Sequence, residues 1–179
     1  MGVTGIFGGR FDPPHVGHLA LARTAVERFR IDRLHVTVAA DPAHKQAEAS
    51  AEHRLAMAKL TFAQLDASVE LERHRYTVDA LVAARYDDPI FLIGADQLAA
   101  FPTWRQPERV LQLARLGVAT RPGHVAQPES DRIELFELEP HDVSSTEIRA
   151  RVQRGEPLGG LVVPEVAAYI AEHDLYGRT

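Results

Sequence analysis

Two histidines and three glycines lie within eleven residues near the start of the chain, in the stretch GGRFDPPHVGH of residues 8–18. Gly8 and Gly9 follow a short apolar run and allow backbone amides to approach an anionic ligand closely. His15 and His18 are three residues apart at the start of a predicted helix, where the N–H groups and the helix dipole favour anions. Imidazole N–H groups donate hydrogen bonds to phosphate oxygens. The stretch therefore predicts a phosphate site at a strand–turn–helix junction.

Two other interpretations fit the histidine pair. Each imidazole could cap the helix or lie on its surface, and two histidines at this spacing could share a metal ion. The strand–turn–helix context and the paired glycines favour the phosphate site. No nearby carboxylate clearly completes a metal shell, because Asp12 precedes two prolines and is interpreted as ordering the turn.

The elements that must position this stretch alternate along the chain. Strands are predicted at Val3–Phe7, Leu34–Ala39, Val69–Leu71, Ile90–Ile93, Leu116–Thr120 and Ile133–Leu138. Helices are predicted at Val16–Phe29, Glu52–Leu65, Val78–Tyr86 with Thr77 as its N-cap, Asp96–Phe101, Glu108–Ala114, Ser144–Arg154 and Pro164–His173. This alternation predicts an α/β fold of the Rossmann-like, doubly wound type: an open, mostly parallel sheet with helices on both faces.

Composition limits the classes of function. The 179 residues predict one domain over 1–179, and the formal net charge of −5 argues against a nucleic-acid partner. A phosphate ligand must then be held by a local cluster of positive groups. The absence of cysteine excludes disulfides, thiolate metal sites and a thiol nucleophile. We see no signal peptide and no apolar stretch of membrane-spanning length, so we expect a cytoplasmic protein without a membrane partner.

The opening stretch resembles the H-x-G-H signature of the nucleotidyltransferases that share a fold with class I aminoacyl-tRNA synthetases. VSSTEIR, at Val143–Arg149, resembles the second signature of that superfamily, which commonly reads I-S-S-T-x-I-R in the nicotinate-mononucleotide adenylyltransferases. Further matches occur in the order and rough spacing of that family: HK at His44-Lys45, HR at His53-Arg54, YTVDAL at 76–81, GADQL at 94–98 and TW at Thr103-Trp104. The joint set covers nearly the whole chain and is specific to the nicotinate branch.

The resemblance implies a reaction in which ATP and nicotinate mononucleotide give deamido-NAD and pyrophosphate, in NAD biosynthesis. The 5′-phosphate of the mononucleotide attacks the α-phosphorus of ATP, and catalysis rests on positioning and charge stabilisation. It also implies Mg²⁺ as the accompanying cation and small molecules as the partners. A homo-oligomer is compatible with these expectations.

The resemblance assigns catalytic roles to His15, His18 and Arg149, and no residue is assigned as a metal ligand. The expected ATP-binding residues are Gly8, Gly9, Arg10, Phe11, His18, Gly94, Asp96, Ser144, Ser145, Thr146 and Arg149. The expected mononucleotide-binding residues are His44, Lys45, Arg54, Tyr76, Thr77, Trp104 and Arg121. Trp104 is expected to stack on the pyridine ring, and amides around Thr77 to bind the nicotinate carboxylate.

Several of these residues also have plain structural interpretations. Ser144 and Glu147 form a capping-box pattern, Asp96 could be the N-cap of a helix beginning at Gln97, and a single Trp is often a core residue. Arg10 departs from the small hydroxyl residue that the family usually has at this position. It could add a phosphate contact or occupy nucleotide space.

Two other functions compete with this one. The first is an adenylyl- or cytidylyltransferase of the same superfamily that uses phosphopantetheine or nicotinamide mononucleotide; Trp104 and YTVDAL argue against phosphopantetheine. The second is a non-catalytic nucleotide-binding module, against which the intact His15, His18, Ser145 and Arg149 argue.

Overall fold

The computed structural model describes residues 2–41, 47–123, 128 and 130–177. Strands occupy β1 (Val3–Gly9), β2 (Ile31–Ala39), β3 (Ala67–Glu72), β4 (Ile90–Gly94), β5 (Arg115–Thr120) and β6 (Ile133–Glu137). Helices occupy α1 (Val16–Phe29), α2 (Ala51–Phe62), α3 (Thr77–Ala84), α4 (Ala95–Ala100), α5 (Pro107–Leu113), α6 (Ser145–Arg154) and α7 (Pro164–Glu172). A short 3₁₀ turn, Phe101–Thr103, follows α4.

The strands form one six-stranded sheet in the order β3-β2-β1-β4-β5-β6, and every neighbouring pair is parallel. This is the strand order of the Rossmann fold, so the predicted fold class is confirmed. The order reverses between β1 and β4. In such sheets the crevice for ligands lies beyond the carboxyl ends of the strands at this reversal.

Both faces of the sheet are covered at its centre, because alternate side chains of β4 enter different cores. Leu34, Val36 and Val38 of β2 pack in one core with residues of α1 and α2. Phe91 and Ile93 of β4 point the other way and pack with residues of α3 and α5. The continuous apolar run of β4 follows from burial on both faces, whereas the buried residues of β2 alternate with less buried ones.

A third core packs the last two helices, α6 and α7, against α2. Met57 of α2, Ile148 of α6 and Ile170 of α7 pack together, and Tyr176 joins them from beyond α7. The backbone N–H of Val16 donates to the carbonyl of Leu161 at 2.9 Å. Packing between helices that are remote in sequence therefore brings the second signature close to the first.

A few predicted boundaries differ from the structure. Strand β1 continues through Gly9, which pairs with Val38, so the two glycines lie in the strand rather than in a turn after it. Helix α3 ends at Ala84 because Arg85 adopts the left-handed conformation (φ 51°), four residues before Pro89. Its N-cap is Tyr76 and not Thr77, which is the first helical residue.

Within the described ranges, no helix combines the length and the apolar character needed to cross a lipid bilayer.

Candidate active site

The two signature histidines meet at the N-terminus of α1. His15 is the N-cap residue, and its backbone N–H donates to Nδ1 of His18 at 3.1 Å. The two rings stack with their centroids 3.6 Å apart and their planes 25° apart. Because Nδ1 of His18 accepts a hydrogen bond, the proton of the neutral ring lies on Nε2, which is therefore a donor. Nδ1 of His15 is buried and has no hydrogen-bond partner among the described residues.

Both imidazoles are held neutral in this environment. Burial, and secondarily the neighbouring His141, lowers the pKa of His15 to about 4. Burial also lowers the pKa of His18 well below its usual value, and His15 adds to this effect. The ring of Phe11 packs edge-on against His18 at 5.1 Å between centroids, which accounts for part of this burial. At neutral pH the pair therefore offers neutral ring nitrogens, with an N–H donor on His18, rather than two fixed cations.

The second signature lies directly against the first. The Ser145 hydroxyl donates to the carbonyl of Pro13 at 2.8 Å, and Nη1 of Arg149 donates to the carbonyl of Asp12 at 2.8 Å. A Cβ atom at Gly17 would lie 3.3 Å from a methyl group of Val143, so a glycine there allows the close approach of the two segments. Two stretches more than a hundred residues apart along the chain therefore share one location.

The hydroxyl-rich tip of α6 is both capped and accessible. Ser144 is the N-cap, and its hydroxyl oxygen accepts the backbone N–H of Glu147 at 3.1 Å, as the capping interpretation predicts. Ser144 and Thr146 are exposed, and Ser145 is half-buried. Capping uses one amide of the first turn, and the remaining amides and hydroxyls can still face an anion.

Two clefts open at the carboxyl ends of the strands and meet at α4. The larger encloses about 990 Å³ and the smaller about 420 Å³, and both are lined by Asp96 and Gln97. Of the predicted residues, the large cleft contains Gly8, Gly9, Arg10, Tyr76, Thr77, Asp96 and Trp104. The small cleft contains His15, His18, Gly94, Asp96 and Arg121. The predicted residues that line a cleft therefore separate into two adjoining subsites. The remaining described ones line neither cleft: Phe11, Arg54, Ser144, Ser145, Thr146 and Arg149.

In the large cleft, Trp104 is a packing residue that also lines the cleft wall. Its ring is half-buried and packs edge-on against Phe91 and Phe101, with centroids 6.1 and 5.3 Å apart, and it also lines the cleft. Beside it, the guanidinium carbon of Arg105 lies 4.7 Å from the ring centroid of Tyr76. Cation–π contact of this kind holds a positive charge at the start of α3, where Thr77 begins the helix.

In the small cleft, Gly94 and Asp96 occupy the first turn of α4. Gly94 is the N-cap, so the interpretation of Asp96 as an N-cap is wrong, and Asp96 is the second helical residue. A Cβ atom at Gly94 would find no heavy atom of the described residues within 4 Å, which leaves open space beside this backbone. Arg121 is exposed and lies with the histidines rather than with Trp104, although it was predicted as a mononucleotide residue.

The structure supplies a packing reason for Gly9 that the sequence did not show. Phe11 is 2% exposed, has a positive φ of 50° and folds back over the strand end. A Cβ atom at Gly9 would lie 2.7 Å from the Phe11 ring. Glycine is therefore required at position 9 by the ring that also packs against His18.

Arg54, predicted to bind substrate, has a different role in the structure. Its side chain is 1% exposed and donates from Nε to the carbonyl of Ala49 at 3.1 Å. Nη1 donates to the carbonyls of Arg10 and Ala39 at 2.9 and 2.7 Å, and Nη2 donates to that of Ala40 at 3.2 Å. The guanidinium therefore holds the backbone at the ends of β1 and β2 instead of facing the cleft, which contradicts the predicted substrate contact.

Sequence reasoning missed a buried carboxylate that joins three segments. Asp12 is 1% exposed and accepts the backbone N–H groups of Glu48 and Ala49, at 2.7 and 3.1 Å, and the hydroxyl of Tyr176 at 2.8 Å. Its position before two prolines indicated an ordered turn, but no local pattern points to Tyr176. His44 and Lys45, the predicted phosphate contacts that precede Glu48, lie outside the described residues.

A metal site made by the protein alone does not form in the described part of the chain, where no group of three or more His, Asp or Glu side chains could hold an ion.

Comparison with known proteins gives consistent results. A family model described as cytidylyltransferase-like matches residues 6–151. A probable nicotinate-nucleotide adenylyltransferase of Bordetella pertussis is 41% identical over 196 residues, which covers 98% of this chain and 100% of the relative. Another, from Gemmatimonas aurantiaca, is 39% identical and covers 96% of this chain and 91% of the relative.

Among solved structures, the nicotinic acid mononucleotide adenylyltransferase of Plasmodium falciparum, complexed with NaAD, matches with a TM-score of 0.81 at 20% identity. The match covers 98% of each chain and establishes a shared fold.

Proposed function

Because the chain belongs to the nicotinate-nucleotide adenylyltransferases, among the cytidylyltransferase-like proteins, we propose that it transfers the adenylyl group of ATP to nicotinate mononucleotide. A 5′-phosphate oxygen of the mononucleotide forms a bond to the α-phosphorus of ATP. The bond from that phosphorus to the bridging oxygen of the β-phosphate breaks, and pyrophosphate leaves with the electron pair. The products are deamido-NAD and pyrophosphate, in a reaction of NAD biosynthesis.

The observation that carries this proposal is the meeting of the two signatures. The contact of Ser145 with the Pro13 carbonyl places the tip of α6 beside the turn that leads to His15 and His18. One triphosphate can therefore contact the imidazoles, the hydroxyls and the amides together. The small cleft, with its open backbone at Gly94, is the space assigned to the nucleotide.

The histidines stabilise the charge that develops on the phosphates. Nε2–H of His18 is preoriented by the bond at its Nδ1, so it donates without first reorganising. His15 brings to the same place a buried Nδ1 that has no hydrogen-bond partner within the described part of the chain. A bound triphosphate favours the protonated form of each ring, because an adjacent anion raises the pKa of an imidazole. Binding of ATP can thus recruit positive charge that the free enzyme does not carry.

The leaving pyrophosphate is assigned to the residues of the second signature. Ser144, Ser145 and Thr146 offer hydroxyls and helix amides, and Arg149 supplies a guanidinium one turn further on. Asp96 is assigned to the adenosine ribose and Arg121 to the nucleotide side, since both line the small cleft. Gly8, Gly9 and Arg10 are expected to contact ATP from the side of the large cleft, which they line, and Phe11 supports the site by packing against His18.

The mononucleotide is assigned to the large cleft. Trp104 stacks on the pyridinium ring, and the start of α3 at Thr77 with Tyr76 binds the nicotinate carboxylate. Arg105, held over the Tyr76 ring, adds a positive charge on this side. His44 and Lys45 remain the proposed contacts for the mononucleotide phosphate.

Mg²⁺ is proposed to arrive coordinated by the triphosphate, because the described residues offer no ligand set of their own. We further propose a single domain that acts in the cytoplasm, on small molecules and without a nucleic-acid partner, in keeping with its net charge of −5. Assembly into a homo-oligomer is compatible with this proposal.

Pyrophosphate release from ATP tests the function when it is measured across a panel of acceptors. The panel contains nicotinate mononucleotide, nicotinamide mononucleotide and phosphopantetheine. We expect nicotinate mononucleotide to give the highest kcat/KM. A preference for either other acceptor replaces the proposed substrate, and release with none of them supports a non-catalytic nucleotide-binding module.

A further inference from the structure

Tyr176, close to the carboxyl-terminal end of the chain, reaches the first signature. It lies beyond α7 with a positive φ of 62°, is 8% exposed and packs with Met57, Ile148 and Ile170. Its hydroxyl donates to Oδ1 of Asp12 at 2.8 Å, across 164 positions of sequence. Burial and the Asp12 carboxylate raise the pKa of Tyr176, so the phenol stays protonated and remains a donor.

The Asp12 carboxylate, which Tyr176 contacts, forms a junction of hydrogen bonds between three segments of the chain. Asp12 accepts the backbone N–H of Glu48 at Oδ2 (2.7 Å) and that of Ala49 at Oδ1 (3.1 Å). A carboxylate that is 1% exposed must keep its hydrogen bonds, because solvent cannot replace them. The positions of the chain end, of the segment before α2 and of the first signature therefore depend on one another.

This junction sets the surroundings of Arg149. The carbonyl of Asp12 accepts Nη1 of Arg149 at 2.8 Å, and the Glu48 carboxylate accepts its Nε at 2.7 Å. Both acceptors belong to residues that the Asp12 side chain ties together. The next carbonyl, that of Pro13, accepts the Ser145 hydroxyl at 2.8 Å. A shift of the Asp12 segment would therefore move the guanidinium and the tip of α6 relative to the histidines.

We propose that Tyr176 is a positioning residue for adenylyl transfer, which acts by holding the Asp12 carboxylate and thereby the place of Arg149 relative to His15 and His18. This inference rests on the proposed function, which assigns Arg149 and the histidines to the phosphates. Tyr176 acts through Asp12 and not on the reactants.

Tyr176→Phe isolates the hydroxyl, because it keeps the ring that fills the third core. Oδ1 of Asp12 is then left with the Ala49 N–H alone and shifts to recover a donor. Since a misplacement of catalytic groups by about 1 Å can cost up to about 100-fold in rate, we expect kcat to fall by about tenfold. The KM for ATP should change by less than about threefold, because the amides of α1 and α6 still meet the phosphates.

Tyr169→Phe is the matched control. Tyr169 lies on α7, and its hydroxyl is 3.0 Å from Nδ1 of His53, so this variant removes the same group without touching Asp12. Both variants should lower the melting temperature by similar amounts. With kcat and KM measured well below both melting transitions, we expect Tyr169→Phe to keep kcat within about twofold of the parent enzyme.

The outcomes separate the possibilities. If Tyr176→Phe keeps kcat within about twofold, or if Tyr169→Phe loses as much, Tyr176 contributes stability alone and the inference is wrong.

Glu48→Gln is a second variant at a half-exposed side chain, so its folding is secure even if Tyr176→Phe is unstable. It should lower kcat by about threefold and combine with Tyr176→Phe less than additively, because both act on Arg149. An unchanged kcat in Glu48→Gln overturns the route to Arg149.

The assay uses whichever acceptor the parent enzyme turns over fastest. A preferred acceptor other than nicotinate mononucleotide contradicts the proposed function, while the comparison of Tyr176→Phe with Tyr169→Phe still decides the positioning role.

Discussion

The backbone N–H of His15 donates to Nδ1 of His18 at 3.1 Å, so a single hydrogen bond closes the N-terminus of α1 and selects the tautomer of the second imidazole. The nitrogen left to donate, Nε2, belongs to a ring already fixed by stacking on His15 at 3.6 Å. Helix capping and the proposed phosphate contact thus depend on the same local structure.

This hydrogen bond predicts different results for the two amide substitutions His18→Asn and His18→Gln. In His18→Asn the side-chain oxygen keeps an acceptor near the place of Nδ1, but the Nε2–H donor is lost, and kcat should fall by about 100-fold or more. In His18→Gln an amide N–H can take the place of Nε2–H while the cap is lost, so a larger share of kcat should remain. Steady-state kinetics and melting curves separate the two. Equal activity of His18→Asn and the parent would remove His18 from the mechanism.

The lowered pKa of His15 predicts how stability depends on pH. The folded-state pKa of about 4 lies below that of an unfolded imidazole, near 6.5, so the unfolded chain binds more protons between these values. The free energy of unfolding should therefore decrease as the pH falls from about 6.5 towards 4. His18 shifts in the same direction and adds to the loss.

Urea denaturation across this pH range measures that effect. His15→Asn should reduce the slope, whereas His173→Asn, at an exposed histidine after α7, should keep it. An unchanged slope in His15→Asn would show that other groups dominate the acid sensitivity.

The buried guanidinium of Arg54 predicts a stability defect rather than a binding defect. Arg54→Met keeps an apolar stem of similar length but leaves four carbonyl groups without their donor. We expect the free energy of unfolding to fall by about 3 kcal/mol. Arg109→Met, which removes an exposed guanidinium bonded to Gln112, should change it by less than about 0.5 kcal/mol. Normal stability with a raised KM for the mononucleotide would restore Arg54 as a substrate contact.

The position of Arg105 predicts selectivity for the acid form of the mononucleotide. Its charge lies over the Tyr76 ring in the same cleft as Trp104, and it favours a carboxylate over a carboxamide. Arg105→Gln should lower the ratio of kcat/KM for nicotinate over nicotinamide mononucleotide by about tenfold, the equivalent of one charge-assisted hydrogen bond. Arg109→Gln is the control. Quenching of Trp104, the single tryptophan, reports binding of each mononucleotide separately. A ratio that does not change would assign selectivity to the helix amides alone.

The order of the elements could be predicted from the sequence because it depends on local properties. Apolar runs, helical spacing and the turn residues around them place every strand and helix, and α1 was predicted with the bounds that the structure shows. The left-handed residue Arg85, which ends α3 ahead of Pro89, carries no such signal, since arginine has no preference for that conformation.

The site was predicted in part, through motifs that are themselves local. GGRFDPPHVGH and VSSTEIR identify groups that could bind a phosphate, because the anion-binding chemistry of a helix N-terminus depends on a few consecutive residues. The prediction that Arg54 binds substrate was wrong because the partners of its side chain are not set by neighbouring residues. Whether a long cation faces a cleft or a set of carbonyls depends on backbone brought in from elsewhere.

By itself, then, the sequence determined an alternating α/β chain with two helix starts that could bind an anion and the side chains that could act there. Only the tertiary structure decided that the two starts meet, since their contact is made by the carbonyls of Asp12 and Pro13 with Arg149 and Ser145. It alone also placed Tyr176 on Asp12. The physical reason is that helix and strand formation depend on neighbours within a few residues, whereas a buried polar group takes whichever partners the packing of remote segments brings to it.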